Sequence, residues 1–184
     1  MLLRHRVPAI AARPPQPAQG FRHLDDSAIA ILRWLVDNRV DFVLVGAVAR
    51  QIRGESDARG PVSIVFAPYG RNMDRLARAL SAARARERTE TGADGQAGAE
   101  ATALKLTGEK LLRAQRWTLR CGAHDLDIEG HPPDGPRYQE LLYEATRYEL
   151  APGVAVEVGS PEDIEHYDHI RRTGVAPEIR ITRQ

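Results

Sequence analysis

Three acidic residues, Asp125, Asp127 and Glu129, alternate in the run HDLDIEG. Residues i and i+2 of a strand project on the same side, so a strand here gathers three carboxylates, the oxygen donors that hard divalent cations take. A solvated strand face shows the same alternation. Glu162, His166 and His169 form a second candidate set, compatible on a helix with zinc and equally with a polar outer helix face. A third set is cationic. Arg71, Arg75 and Arg78 fall at helical spacing and Arg84, Arg86 and Arg88 extend them, so residues 71–88 carry six arginines against Asp74 and Glu87. Such a stripe suits contact with phosphate or RNA, although no aromatic residue lies in it to stack on single-stranded bases. The single cysteine, Cys121, excludes an intramolecular disulfide and a cysteine-based zinc site.

These residues are carried by a chain of alternating helical and strand patterns. DDSAIAILRWLVDNRV offers Asp25, Asp26 or Ser27 as N-cap, and Ile29, Leu32, Leu35 and Val36 form an apolar stripe. DFVLVG is a near-continuous apolar run, the mark of a strand covered on both faces. AVARQIR reads as a short helix, VSIVF as a second strand, and NMDRLARALSAA as an amphipathic helix with Asn72 as its cap. RWTLRC and HDLDIEG form a hairpin about Gly122 and Ala123. RYQELLYEATRYEL reads as one helix and VAVEVG as a strand. The last helix opens on a capping box, with Ser160 as N-cap, Pro161 at its first position and Asp163 in place of the usual Glu or Gln, and Gly174 ends it. At least four strands alternating with helices predict an α/β or α+β domain on a small mixed sheet flanked by helices.

The first 20 residues, with Pro8, Pro14, Pro15 and Pro17, are expected to be a disordered tail, leaving residues 21–184 as one domain. TETGADGQAGAEA, from Thr89 to Ala101, has the composition of a flexible loop. With 184 residues and 42% hydrophobic content, the chain suffices for one core and is short for two. No apolar run approaches the ~20 residues that cross a bilayer, and Pro8 and Arg13 interrupt any secretory signal. The expectation is a cytoplasmic protein with no membrane partner. Charge is uneven: residues 1–120 carry 20 basic and 12 acidic side chains, residues 121–168 carry 2 and 12, and the last sixteen carry 4 and 1. That segregation steers a phosphate-bearing partner, or joins oppositely charged parts within the fold or between subunits.

Five signals in order carry a resemblance. They are Val45-Gly46-Ala47 closing the first strand, NMDRLARAL, DLDIEG, RYQELLYEA, and SPEDI opening the last helix. From roughly Leu24 to Arg172 the chain resembles the bacterial minimal nucleotidyltransferase-fold family, which includes the toxin halves of AbiE-type and MenT-type toxin-antitoxin pairs. The resemblance implies a nucleotidyltransferase-like fold, with Gly46, Ala47, Ser63 and Asp127 at vestigial nucleotide-binding positions. It also implies an Asp-x-Asp on the second strand, a third Asp and a late lysine. Pro61 and Ser63 stand at the first two positions, Asp127 at the third, and Asp168 in place of the lysine.

Polymerase-like transfer holds two divalent ions on such carboxylates, and a lone Asp127 does not replace three. The expected function is therefore a catalytically degenerate, non-catalytic binding or interaction protein, with nucleotide, RNA or a protein as partner and Arg71, Arg75 and Arg78 as the phosphate or RNA contact. No catalytic residue, metal or cofactor is expected. One alternative is an active nucleotidyltransferase toxin with an unorthodox magnesium shell of Asp127, Asp125 and Glu55. Another is a structural, self-associating module without a ligand. On the degenerate reading Asp125, Asp127 and Glu129 form an uncompensated negative cluster, and neutralising Asp127 costs nothing or stabilises by up to roughly 1 kcal/mol.

Overall fold

The computed structural model describes residues 21, 24–55, 57–88, 106–130 and 135–174. The expected tail and the expected loop from Thr89 to Ala101 lie outside them. Asp25 accepts a hydrogen bond from the Ser27 amide at 3.2 Å and so caps α1 (Asp26–Asp37). The remaining described elements are β1 (Phe42–Val45), α2 (Gly46–Ile52), β2 (Val62–Phe66), α3 (Gly70–Ala82), β3 (Arg86–Glu87), α4 (Gly108–Arg113), β4 (Arg116–Cys121), β5 (His124–Glu129), α5 (Tyr138–Glu144), β6 (Thr146–Ala151), β7 (Val154–Val158) and α6 (Pro161–Thr173).

The seven described strands form one mixed sheet in the order β3-β4-β5-β2-β1-β7-β6. β1 runs antiparallel to β2 and parallel to β7, and β2 runs parallel to β5. The β4–β5 and β6–β7 hairpins complete the two ends, with β3 beside β4. Alternation divides the core. Leu44, Ile64, Phe66, Leu119 and Ile128 pack on one face under Ile31, Leu32 and Leu35 of α1 and Leu76 and Leu80 of α3. Val43, Val45 and Val65 meet Tyr138 and Leu141 of α5 and Tyr167 of α6 on the other. The chain is thus a mixed α/β protein, as the alternation of patterns predicts. No described helix is long and apolar enough to cross a membrane.

Two local expectations need correction. Asn72 does not cap α3: the helix starts at Gly70 after Tyr69, and Asn72 sits in its first turn, 1% exposed. Its side chain accepts from the Asp41 amide at 2.7 Å and donates to the carbonyls of Asp41 and Ala67 at 2.9 Å each. A capping-type residue is here tying the chain entering β1 to the chain leaving β2. The stretch RYQELLYEATRYEL is likewise two elements, because α5 ends at Glu144 and Thr146–Ala151 forms β6. The Pro152-Gly153 turn, with Gly153 at φ +74°, folds β6 back on β7, and Arg147 meets Glu157 across the pair at 2.9 Å. Pairing overrides the helical preference of Glu and Leu there. The start of α6 follows its sequence, with Ser160 accepting from the Asp163 amide at 3.2 Å and Gly174 closing the helix at φ +71°.

Candidate functional site

At the carboxyl end of β1 the backbone turns directly into α2 at Gly46, whose φ of +70° disfavours any side chain. A Cβ there would also lie 3.0 Å from Ser63 Oγ and 3.3 Å from Arg171 Nη1. Strand register sets the rest of the site: Val45 lies opposite Ser63, Ser63 beside Asp127, and Asp127 opposite Thr118. The structure therefore brings Gly46, Ser63 and Asp127 together. Ala47 instead backs onto the loop before β2, where a Cβ on Gly60 would approach its own Cβ to 2.9 Å. Pro61 lies just before β2 and offers no ligand atom.

The acidic cluster is compensated by arginines, which overturns the expectation of an uncompensated one. Asp127 is fully buried, with Arg88 Nη2 2.9 Å from one carboxylate oxygen and the Arg116 guanidinium hydrogen-bonded to the other. Glu129, 6% exposed, accepts from Arg171 Nη2 at 2.5 Å and lies 3.5 Å from Arg116 Nε. Arg171 Nη2 also donates to Ser63 Oγ at 3.2 Å. Asp125 pairs with Arg120 at 2.7 Å and Arg88 at 3.3 Å. A buried carboxylate is costly unless paired and hydrogen-bonded, and here guanidiniums supply the compensating positive charge. Neutralising Asp127 is therefore expected to cost stability, the reverse of the sequence expectation.

The alternative shell of Asp127, Asp125 and Glu55 is not gathered: Glu55 pairs with Arg50 at 3.1 Å while the other two face Arg88. Among the described residues no group of three or more His, Cys, Asp or Glu side chains is arranged to hold a metal ion, Glu162, His166 and His169 included. Asp168, at the expected lysine position, lies 2.7 Å from Arg50 Nε, and Arg50 also holds Glu165. Burial opposes the charge of Arg50, but its bonds to Asp168 and Glu165 outweigh that and raise its pKa above the ordinary arginine value. The Arg50 hydrogen bond in turn holds Glu165 below the usual glutamate range. A cation does reach the site from α6, one turn later, as Arg171. Neither Arg171 nor the roles of Arg88 and Arg116 were identified from the sequence, which offers no spacing signal for them.

These pairs join the basic first part of the chain to its acidic middle within one molecule. The α3 stripe lies apart, since α3 packs on the opposite face of the sheet. Arg71 and Arg78 are exposed, whereas half-buried Arg75 donates to the Arg39 carbonyl at 3.0 Å and sits 3.7 Å from Asp41. A groove of about 620 Å³ between α3 and the start of α4 is lined by Asp74, Arg78, Ser81 and Thr107, among others, with no carboxylate of the β5 set.

Cys121, at the end of β4, is buried, and burial followed by the nearby Asp125 charge raises its thiol pKa from 9.0 to about 11. Thiolate is the reactive form, so the native thiol is expected to resist an aromatic disulfide reagent at about pH 8 and to react fully once the chain unfolds. Rapid stoichiometric labelling of the folded protein contradicts this. Comparison with protein-family models and with curated proteins finds no match to the chain.

Proposed function

We propose that the chain is a nucleotidyltransferase-like domain whose catalytic centre is degenerate and that acts as a non-catalytic binding or interaction protein. The observation that carries this reading is Ser63, a neutral hydroxyl beside Asp127 on the strand where the resemblance expects charged ligands. Supporting it, both lone-pair faces of Asp127 are taken by arginines, so a divalent ion would have to displace Arg88 and Arg116 before it gained one carboxylate. The Gly46 turn against Ser63 and the parallel placement of β5 beside β2 also support it.

The test is transfer of labelled nucleotide from each of the four triphosphates to the protein itself, to tRNA and to a protein acceptor, with magnesium or manganese. No incorporation above a heat-killed control is expected. Transfer above that control, lost in Asp127→Asn protein shown by circular dichroism to be folded, overturns the reading in favour of an active toxin.

A further inference from the structure

The sheet face around Asp127 carries more guanidinium than carboxylate. Arg116 and Arg120 of β4 lie opposite Glu129 and Asp125, Arg86 of β3 lies opposite Arg120, and Arg88 and Arg171 reach the same carboxylates from beyond β3 and from α6. Four arginines, Arg88, Arg116, Arg120 and Arg171, thus share Asp125, Asp127 and Glu129, and Arg86 stands beside them on the same face. A further acid, Asp168, is divided between two arginines, with one carboxylate oxygen 3.6 Å from Arg171 and the other 2.7 Å from Arg50. Among the described residues Arg86 has no carboxylate partner. It is exposed and faces Arg120, whose side chain is 51% exposed, although like charges directly opposite on an antiparallel pair repel. Deeper in the site, the buried Nε–H groups of Arg116 and Arg171 make no hydrogen bond, Arg116 Nε lying 3.5 Å from Glu129 without the geometry of one, a state that costs stability.

From this excess we propose that the face binds the phosphate groups of a di- or triphosphate ligand without any divalent ion. The inference rests on the non-catalytic reading above. A transferase neutralises a triphosphate with bound metal ions, whereas here fixed guanidiniums serve that purpose. Their planar forks match phosphate oxygens in bidentate geometry, and they stay charged at every accessible pH. Arg86 and Arg120 meet the incoming phosphates first because they are the most exposed. Arg88, Arg116 and Arg171 remain anchored by their carboxylates and preorganise the positive field. Nucleotides and inorganic polyphosphates share this chemistry.

Equilibrium binding to the full chain in excess chelator tests the proposal, with inorganic tripolyphosphate, ATP, unphosphorylated adenosine and an RNA oligonucleotide as probes. Saturable binding of tripolyphosphate and ATP is expected, with Kd of roughly 10–1000 μM, and none of adenosine. Equal affinities assign recognition to the phosphates alone, and tighter ATP binding assigns it to a nucleotide; both support the proposal. An Arg86→Ala/Arg120→Ala variant, whose melting temperature should stay close to wild type because both side chains are at the surface, is expected to weaken binding at least about fivefold. Raising salt from about 50 to about 300 mM should also weaken it. Absence of saturable binding up to about 10 mM ligand, binding that requires magnesium, unchanged affinity in the double variant, or binding of RNA alone overturns it. Nucleotide transfer sinks the underlying non-catalytic reading. Failure to bind in chelator, with no transfer, sinks only this inference.

Discussion

Asp127→Asn is expected to destabilise the protein by about 2–4 kcal/mol, a fall in Tm of roughly 6–12 °C for a chain of this size. The substitution is isosteric, so the effect is electrostatic. The asparagine oxygen can accept from only one of Arg88 and Arg116, while its NH2 group faces N–H donors of the other and leaves a guanidinium short of its counter-charge. The value falls below the full cost of breaking a dry ion pair because the arginines are 25% and 32% exposed and keep Asp125 and Glu129 as second partners. Asp125→Asn, at a 34% exposed carboxylate, is the control and should cost less than about 1 kcal/mol. Thermal unfolding of the three proteins decides it. Equal stability of wild type and Asp127→Asn would show that the arginines do not depend on the buried carboxylate.

Asn72→Ala is expected to cost a similar amount, about 2–4 kcal/mol, through lost hydrogen bonds. The alanine leaves the Asp41 amide and the Ala67 carbonyl without their side-chain partner, and both lie where the strands β1 and β2 meet α3. The Asp41 carbonyl keeps its bond from the Ala67 amide at 2.9 Å, so two backbone groups rather than three lose their partner. Urea unfolding should show a lower midpoint with an unchanged slope. A change below about 0.5 kcal/mol is the cost of a surface substitution and would contradict the bracing role of Asn72.

The features legible in the sequence are those with local causes. Asp25, the apolar stripe of α1, the Ser160-Pro161 start and the Gly174 end mark their helices because caps and periodicity act within a turn. The runs at β1 and β2 show because buried strands need apolar residues on both faces. β6 does not show, since its strand state depends on β7, and Asn72 misleads because its chemistry suits a cap as well as a buried bracket. The site divides the same way. Motif order names Gly46, Ser63 and Asp127, which the structure brings together, but the arginines around them sit 39, 11 and 42 residues from the carboxylates they bind. Side-chain reach across the sheet, rather than any spacing along the chain, places Arg88, Arg116 and Arg171.

Guanidinium in the place of metal is the central claim, and thermal unfolding with and without divalent ions tests it most directly. Wild type and Asp127→Asn are each melted in chelator and in millimolar magnesium or manganese. A ligand that binds only the native state raises its stability by mass action. The expected result is the same Tm, within about 1 °C, with and without metal for wild type, and a lower Tm for Asp127→Asn that is equally indifferent to metal. A metal-dependent rise of several degrees in wild type that vanishes in Asp127→Asn would contradict the claim and assign Asp127 to a working metal site.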